Sequence, residues 1–154
     1  MKDVSHAFCN AHHLRELKAL IDIEKEPWAK RMSRLLVKAA HTVNNAVRSG
    51  QSVLAERLRR RFEALYDAII KEGFAFHEAQ PRLGRKPKAR GRAPKRPGHN
   101  LLVRLRTYRS DVLRFMSDFA VPFSRVDGWR GDLRWRGLSV VRRLSPVPVS
   151  QFAP

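Results

Sequence analysis

Cysteine is almost missing from this chain. Cys9 stands alone among 154 residues, so no disulfide can form within it and the disulfide-stapled secreted class is excluded. Long hydrophobic runs are missing too: no apolar stretch approaches the roughly 20 residues that cross a bilayer. The opening Met1-Lys2-Asp3-Val4-Ser5-His6 has no hydrophobic region that could serve as a signal peptide. Acid is scarce, with 14 Asp and Glu against 32 Lys and Arg, a formal net charge of +18. Small soluble domains usually carry a magnitude of roughly 2–8. The expectation is an intracellular protein in a reducing compartment, acting on an anionic partner; a nucleic acid fits better than a membrane surface. An apolar content of 43% supplies a helical core and argues against a wholly disordered polycation.

Four segments read as helices. The first runs from about Phe8 to Ile23, with Leu14, Leu17 and Ile21 at spacings of three and four. The second begins at Pro27 and carries Trp28, Met32, Leu35, Leu36, Ala39 and Val43 on one stripe, stopping at Ser49-Gly50. Asn44-Asn45 within it is a place where it could break. The third starts near Ser52 as N-cap and lays out Leu54, Leu58, Phe62, Leu65, Ile69 and Ile70 before Gly73, so that the second and third form a helical hairpin. A fourth opens at Asn100 and places Leu101, Leu105, Tyr108, Val112, Phe115, Met116 and Phe119 at steps of three and four, ending before Pro122. The organisation expected is a helical region over 1–79, an arm over 80–98, an amphipathic helix over 99–123 and an irregular tail over 124–154.

The arm differs in kind from its flanks. Pro81, Pro87, Pro94 and Pro97 alternate there with Gly84, Gly91 and Gly98, and no acid occurs between Glu78 and Asp111. Its cations are Arg82, Arg85, Lys86, Lys88, Arg90, Arg92, Lys95 and Arg96. Proline removes helix hydrogen bonds and like charges resist compaction, so the segment reads as a flexible, disordered basic arm. Such an arm contacts phosphates, with strong, salt-dependent and sequence-blind affinity. In the tail, Trp129 and Trp135 lie among arginines and either stack on bases or are ordinary hydrophobes.

Candidates for chemistry are few. Cys9 and His12 share a helix face, three residues apart and followed by His13, but tetrahedral zinc needs more ligands than this pair. The cluster is either a partial metal site or ordinary helix packing. His6, His41, His77 and His99 stand at no matching spacing. A Cys–His thiol enzyme lacks its supporting features, and no phosphate-cradling glycine loop follows a strand.

Two sets of strings go further. Cys9-Asn10-Ala11-His12-His13-Leu14-Arg15-Glu16-Leu17, continuing through Ile23-Glu24-Lys25-Glu26-Pro27-Trp28-Ala29, resembles the segment after the second catalytic aspartate in bacterial transposases of the insertion sequence 66 family. Arg96-Pro97-Gly98-His99-Asn100-Leu101-Leu102, Asp111-Val112-Leu113-Arg114-Phe115 and Asp118-Phe119-Ala120-Val121-Pro122-Phe123 resemble the later part of the same region. The resemblance covers about residues 4 to 123. It implies a ribonuclease-H-like DDE transposase, whose two aspartates and glutamate hold magnesium or manganese for phosphodiester attack. A largely helical insertion separates the second aspartate from the glutamate in that family, and this chain resembles the insertion with its flanks. Cys9 and His12 match a Cys-x-x-His signature of related transposases, which implies a role in positioning the insertion.

The chain departs from the family at the catalytic residues. The strands expected to carry the first two aspartates are absent before Cys9. Where the family shows Asn-Asn-x-Ala-Glu-Arg, this chain has Ser124-Arg125-Val126-Asp127-Gly128-Trp129-Arg130. Aligning Asp132-Leu133-Arg134 with the family's Asp-Leu-Arg puts Arg130 at the glutamate's place, and an ungapped alignment puts Trp129 there. Neither ligates a hard cation. Asp127 or Asp132 as a substitute would still need partner aspartates from another chain. The tail resembles a frame change or a decayed end.

The expectation is therefore a mainly α fragment that lacks most of the family's β-sheet core. It has no catalytic residues, metal or cofactor of its own, and it retains DNA binding in the bacterial cytoplasm. Exposed apolar faces would favour self-association or association with an intact transposase. The alternative is a standalone helical DNA- or RNA-binding protein without enzymatic ancestry.

Overall fold

In the computed structural model, which describes residues 10–84, 90–91 and 93–124, the chain is mainly helical, and no strand occurs among the described residues. Helix α1 (Asn10–Ala19) widens into a π-helical turn over Leu20–Glu24. Then come α2 (Pro27–Arg48), α3 (Glu56–Glu78), α4 (Pro97–Thr107), the short α5 (Arg109–Leu113) and a 3₁₀ turn over Arg114–Met116. Helices α2 and α3 pack side by side as an antiparallel hairpin, with Arg31 near the start of α2 paired to Glu72 near the end of α3. Helix α1 packs on α2, α4 packs on α3 and α1, and the 3₁₀ turn closes over α2.

The stripe expected on α2 is the stripe found. Trp28, Met32, Leu35, Leu36, Ala39 and Val43 are all buried, and Asn44-Asn45 leaves the helix unbroken. The helix ends at Ser49, followed by Gly50 at φ +77. The Gln51 N–H donates to the Ala46 carbonyl at 3.0 Å and the Gly50 N–H to Val47 at 3.0 Å, the pair of bonds that satisfies terminal carbonyls beyond a left-handed glycine.

Four expectations about the other helices need correction. Helix α3 begins at Glu56 after Ala55, and Ser52 does not cap it. Leu54 is buried and its N–H donates to the Met116 carbonyl at 3.3 Å, which holds this stretch out of the helix. Leu58 and Leu65 lie at the exposed edge of α3, and Tyr66 takes the buried place between Phe62 and Ile69. Its hydroxyl donates 2.8 Å to the Leu105 carbonyl, one of the last-turn carbonyls that a helix end leaves without an intrahelical partner.

Gly73 does not stop α3, which continues to Glu78. A Cβ there would lie 2.6 and 2.9 Å from the Leu102 methyls and 3.1 Å from the Trp28 ring. The glycine lets α2, α3 and α4 approach one another. Nor is the last amphipathic segment one helix opening at Asn100. It starts at Pro97 in the favoured first position and breaks at Tyr108, which is 40% exposed. The break lets Arg109 make a two-pronged pair with Asp67 of α3, at 2.7 and 2.9 Å.

Replacing Gly73 by valine is expected to destabilise the fold by about 2 kcal/mol, since overpacking against Leu102 and Trp28 outweighs any gain in helix propensity. Urea denaturation measures this, and the milder Gly73→Ala should fall between the variant and the parent chain.

Candidate nucleic-acid interface

The motif strings meet in pairs. The N-terminal string meets the last ones at Asn10, whose side chain is 2% exposed. Its Nδ2 donates to the Val112 carbonyl at 2.9 Å, and its backbone N–H donates to Phe123 at 3.3 Å. His13 is buried beside it, with Nδ1 3.4 Å from Asn10 Oδ1. His12 points to solvent, and Cys9 lies outside the described residues. Burial pushes the His13 imidazole below its ordinary 6.5; Glu16 opposes the shift, while Arg104 and His12 add to it.

The second meeting is at Glu26. Lys25 adopts the left-handed conformation at φ +56, which ends the π-helical turn and directs Glu26 into the protein before Pro27 restarts the helix. The Glu26 carboxylate is buried. It accepts the Trp28 Nε1–H at 2.6 Å and lies 3.1 Å from His77 Nε2 of α3. It also sits against the first turn of α4, where a Cβ on Gly98 would fall 2.3 Å from Oε2. A carboxylate at a helix N-terminus is favoured by the unpaired N–H groups there. Glu26-Pro27-Trp28 and Pro97-Gly98-His99 therefore form one structural knot.

Beyond this knot the two described ends of the arm come together. Arg96 Nη2 donates to the Pro81 carbonyl at 3.3 Å. With the end of α3 and the start of α4 they line an open cavity of about 470 Å³. Arg82, Lys95 and Arg96 line it, together with His77 and His99. Burial, Lys95, His77 and Arg106 in that order push the His99 imidazole down, against a backbone hydrogen bond that raises it. Phe74 lies between the His99 ring, 5.6 Å away, and the Arg106 guanidinium, 4.5 Å from its centroid.

Acids are distributed unevenly, with none between Glu78 and Asp111. Acids of the helices pair with helix cations: Glu16 with Arg104, Glu72 with Arg31, Asp67 and Glu63 with Arg109. Among the described residues, the arm's Arg82, Arg90, Lys95 and Arg96 take part in no ion pair. Arg85, Lys86, Lys88 and Arg92 lie outside the described residues, as do Asp127, Trp129, Arg130, Asp132 and Trp135. Sequence reasoning missed Glu26, His77 and His99 as a group because they are far apart along the chain. The only hint was the place of Glu26 and His99 in the motif strings, and His77 lies outside them.

Among the described residues, the carboxylates do not converge on a site for magnesium or manganese. No three His, Cys, Asp or Glu are grouped to hold a metal ion among the described residues, and Glu26 already serves Trp28 and His77.

Removing the carboxylate in Glu26→Ala strands the Trp28 and His77 donors and is expected to cost about 3 kcal/mol in denaturant unfolding, with Gly98→Ala also destabilising. For His13, the folded protein binds a proton less readily than the unfolded chain, so stability present above pH 6.5 is lost as pH falls through the lowered value. The thermal midpoint should drop between about pH 7.5 and about pH 5.5, and less so in His13→Gln.

A scan against family models matches residues 1–125 to the Transposase IS66 family. No curated protein and no solved structure matches the chain. The match spans both sets of motif strings, which removes the reading of a binding protein without transposase ancestry. No helix among the described residues is long and apolar enough to cross a membrane. The knots that join Asn10 to Val112 and Glu26 to Gly98 are built from the segments that carry this likeness, and the chain belongs to the IS66 family of transposases.

Proposed function

We propose that this chain is a partial transposase that binds DNA through its basic arm and does not cut DNA by itself. The observation that carries the binding reading is the set of arm cations, Arg82, Arg90, Lys95 and Arg96, with no acid partner among the described residues. In a chain of net charge +18, cations left unneutralised by the fold are available to phosphates. The inactive reading rests on the chain's own chemistry: no glutamate follows Glu78, and Glu16, Glu56, Glu63, Asp67 and Glu72 are dispersed into ion pairs with the helices' arginines. A complete member of the family would use magnesium or manganese, and its partners would be transposon ends. Exposed Ile23, Val47 and Val53 offer apolar surface for association with a second copy or an intact transposase.

Electrophoretic shifts on duplex DNA over a salt series test the binding. The logarithm of affinity should fall with the logarithm of salt at a slope of about −4 to −7, corresponding to roughly five to eight phosphates. Neutralising Arg82, Lys95 and Arg96 to glutamine should reduce that slope by about 2–3. Binding indifferent to salt would overturn the electrostatic reading, and strand nicking by pure protein with magnesium or manganese would overturn the inactivity.

A further inference from the structure

We infer that the cavity between the arm, the end of α3 and the start of α4 holds a single unstacked nucleotide of a DNA strand. This rests on the DNA-binding reading above and gives it a specific site. Size is the first argument. About 470 Å³ is far more than a phosphate group needs and lies within the range of small-molecule pockets. Composition is the second. Arg82, Lys95 and Arg96 bring cations to the cavity, and Pro81, Leu83 and Pro94 supply apolar wall. An anion carrying a flat apolar body fits both, as a nucleotide does.

Two imidazoles also line the cavity. His77 has a side chain 3% exposed, and Nε2 lies 3.1 Å from the Glu26 carboxylate. That carboxylate accepts the Nε2 proton, which fixes the ring's orientation and leaves Nδ1 as the remaining polar atom. Nδ1 of His77 is buried without a hydrogen-bond partner. The His77 and His99 rings are 5.9 Å apart and inclined at 76°, both on the cavity wall. A buried polar atom of this kind is uncommon, and a small rotation of the ring toward the cavity is what a bound ligand would need to give it a partner. His99, the half-buried ring of the two, is a stacking surface for a base, and a base reaches such a cavity only when it is out of a duplex stack. A single strand or a frayed end is therefore preferred over closed duplex.

The test uses the full chain with isotope-labelled histidines, titrated with deoxyadenosine monophosphate, a five-nucleotide single strand, inorganic phosphate and a glutamate-rich peptide. The imidazole resonances of His77 and His99 should shift saturably with the nucleotide and the strand, while exposed His12 stays put. Arg82→Gln with Lys95→Gln should weaken nucleotide binding about tenfold. Arg57→Gln with Arg61→Gln, which removes the same charge from α3, should leave it within about twofold. Unmoved His77 and His99, equal weakening by both double variants, or equal affinity for phosphate or the peptide would each overturn the site. Duplex binding over salt is read on the same samples. Salt-dependent duplex binding without a histidine response removes the cavity and keeps the arm's general role; a histidine response without duplex binding does the reverse.

Discussion

The buried carboxylate of Glu26 is the interaction on which the rest of the arrangement depends. It takes the indole N–H of Trp28 at the start of α2, faces the imidazole of His77 near the end of α3, and rests against Gly98 at the start of α4. One side chain thereby registers three helices. Burying a carboxylate is costly unless its oxygens are hydrogen-bonded, so the contacts stand or fall together. Placing Glu26 inward requires a sharp turn before it, which Lys25 provides in the left-handed region, and a missing side chain opposite it, which Gly98 provides. The start of α4 is held there, and with it the arm residues that precede it.

Asn10 does similar work at the other end of the bundle, tying the first helix to Val112 and Phe123 through a side-chain and a backbone bond. The strings that identify the family are largely the strings that make these long-range bonds. Their role in this chain is architectural: they join the beginning of the matched region to its end across about a hundred residues. The acids are used in different ways. Glu26 is used in the interior, and others pair with arginines of the helices, while the arm between α3 and α4 has none. A strongly basic chain can in this way keep a packed core and still present an acid-free run of unneutralised cations in the arm.

Much of the fold was legible in local pattern. The stripe on α2 is read directly because a period of 3.6 and a buried face are the same fact, and Gly50 ends that helix because glycine enters the left-handed region without steric cost. Gly73 misled for a related reason. A glycine near an apparent helix end looks like a stop, but this one serves close packing against Leu102 and Trp28. Nothing local distinguishes the two uses. The stripe on α3 was likewise drawn through Leu58 and Leu65, and Tyr66 was passed over because its burial depends on a carbonyl of α4 that accepts its hydroxyl proton.

The amino-acid order alone determined the helical class, the surplus of positive charge, the acid-free arm and the family likeness, because composition, periodicity and motif strings are properties of the chain itself. Tertiary structure alone decided that Glu26, His77 and His99 are neighbours, that His13 is buried while His12 is not, and that the two ends of the arm line an open cavity. These depend on residues separated by tens of positions. Such distances are set by how helices pack and where a glycine permits approach, and spacing along the chain carries no trace of them.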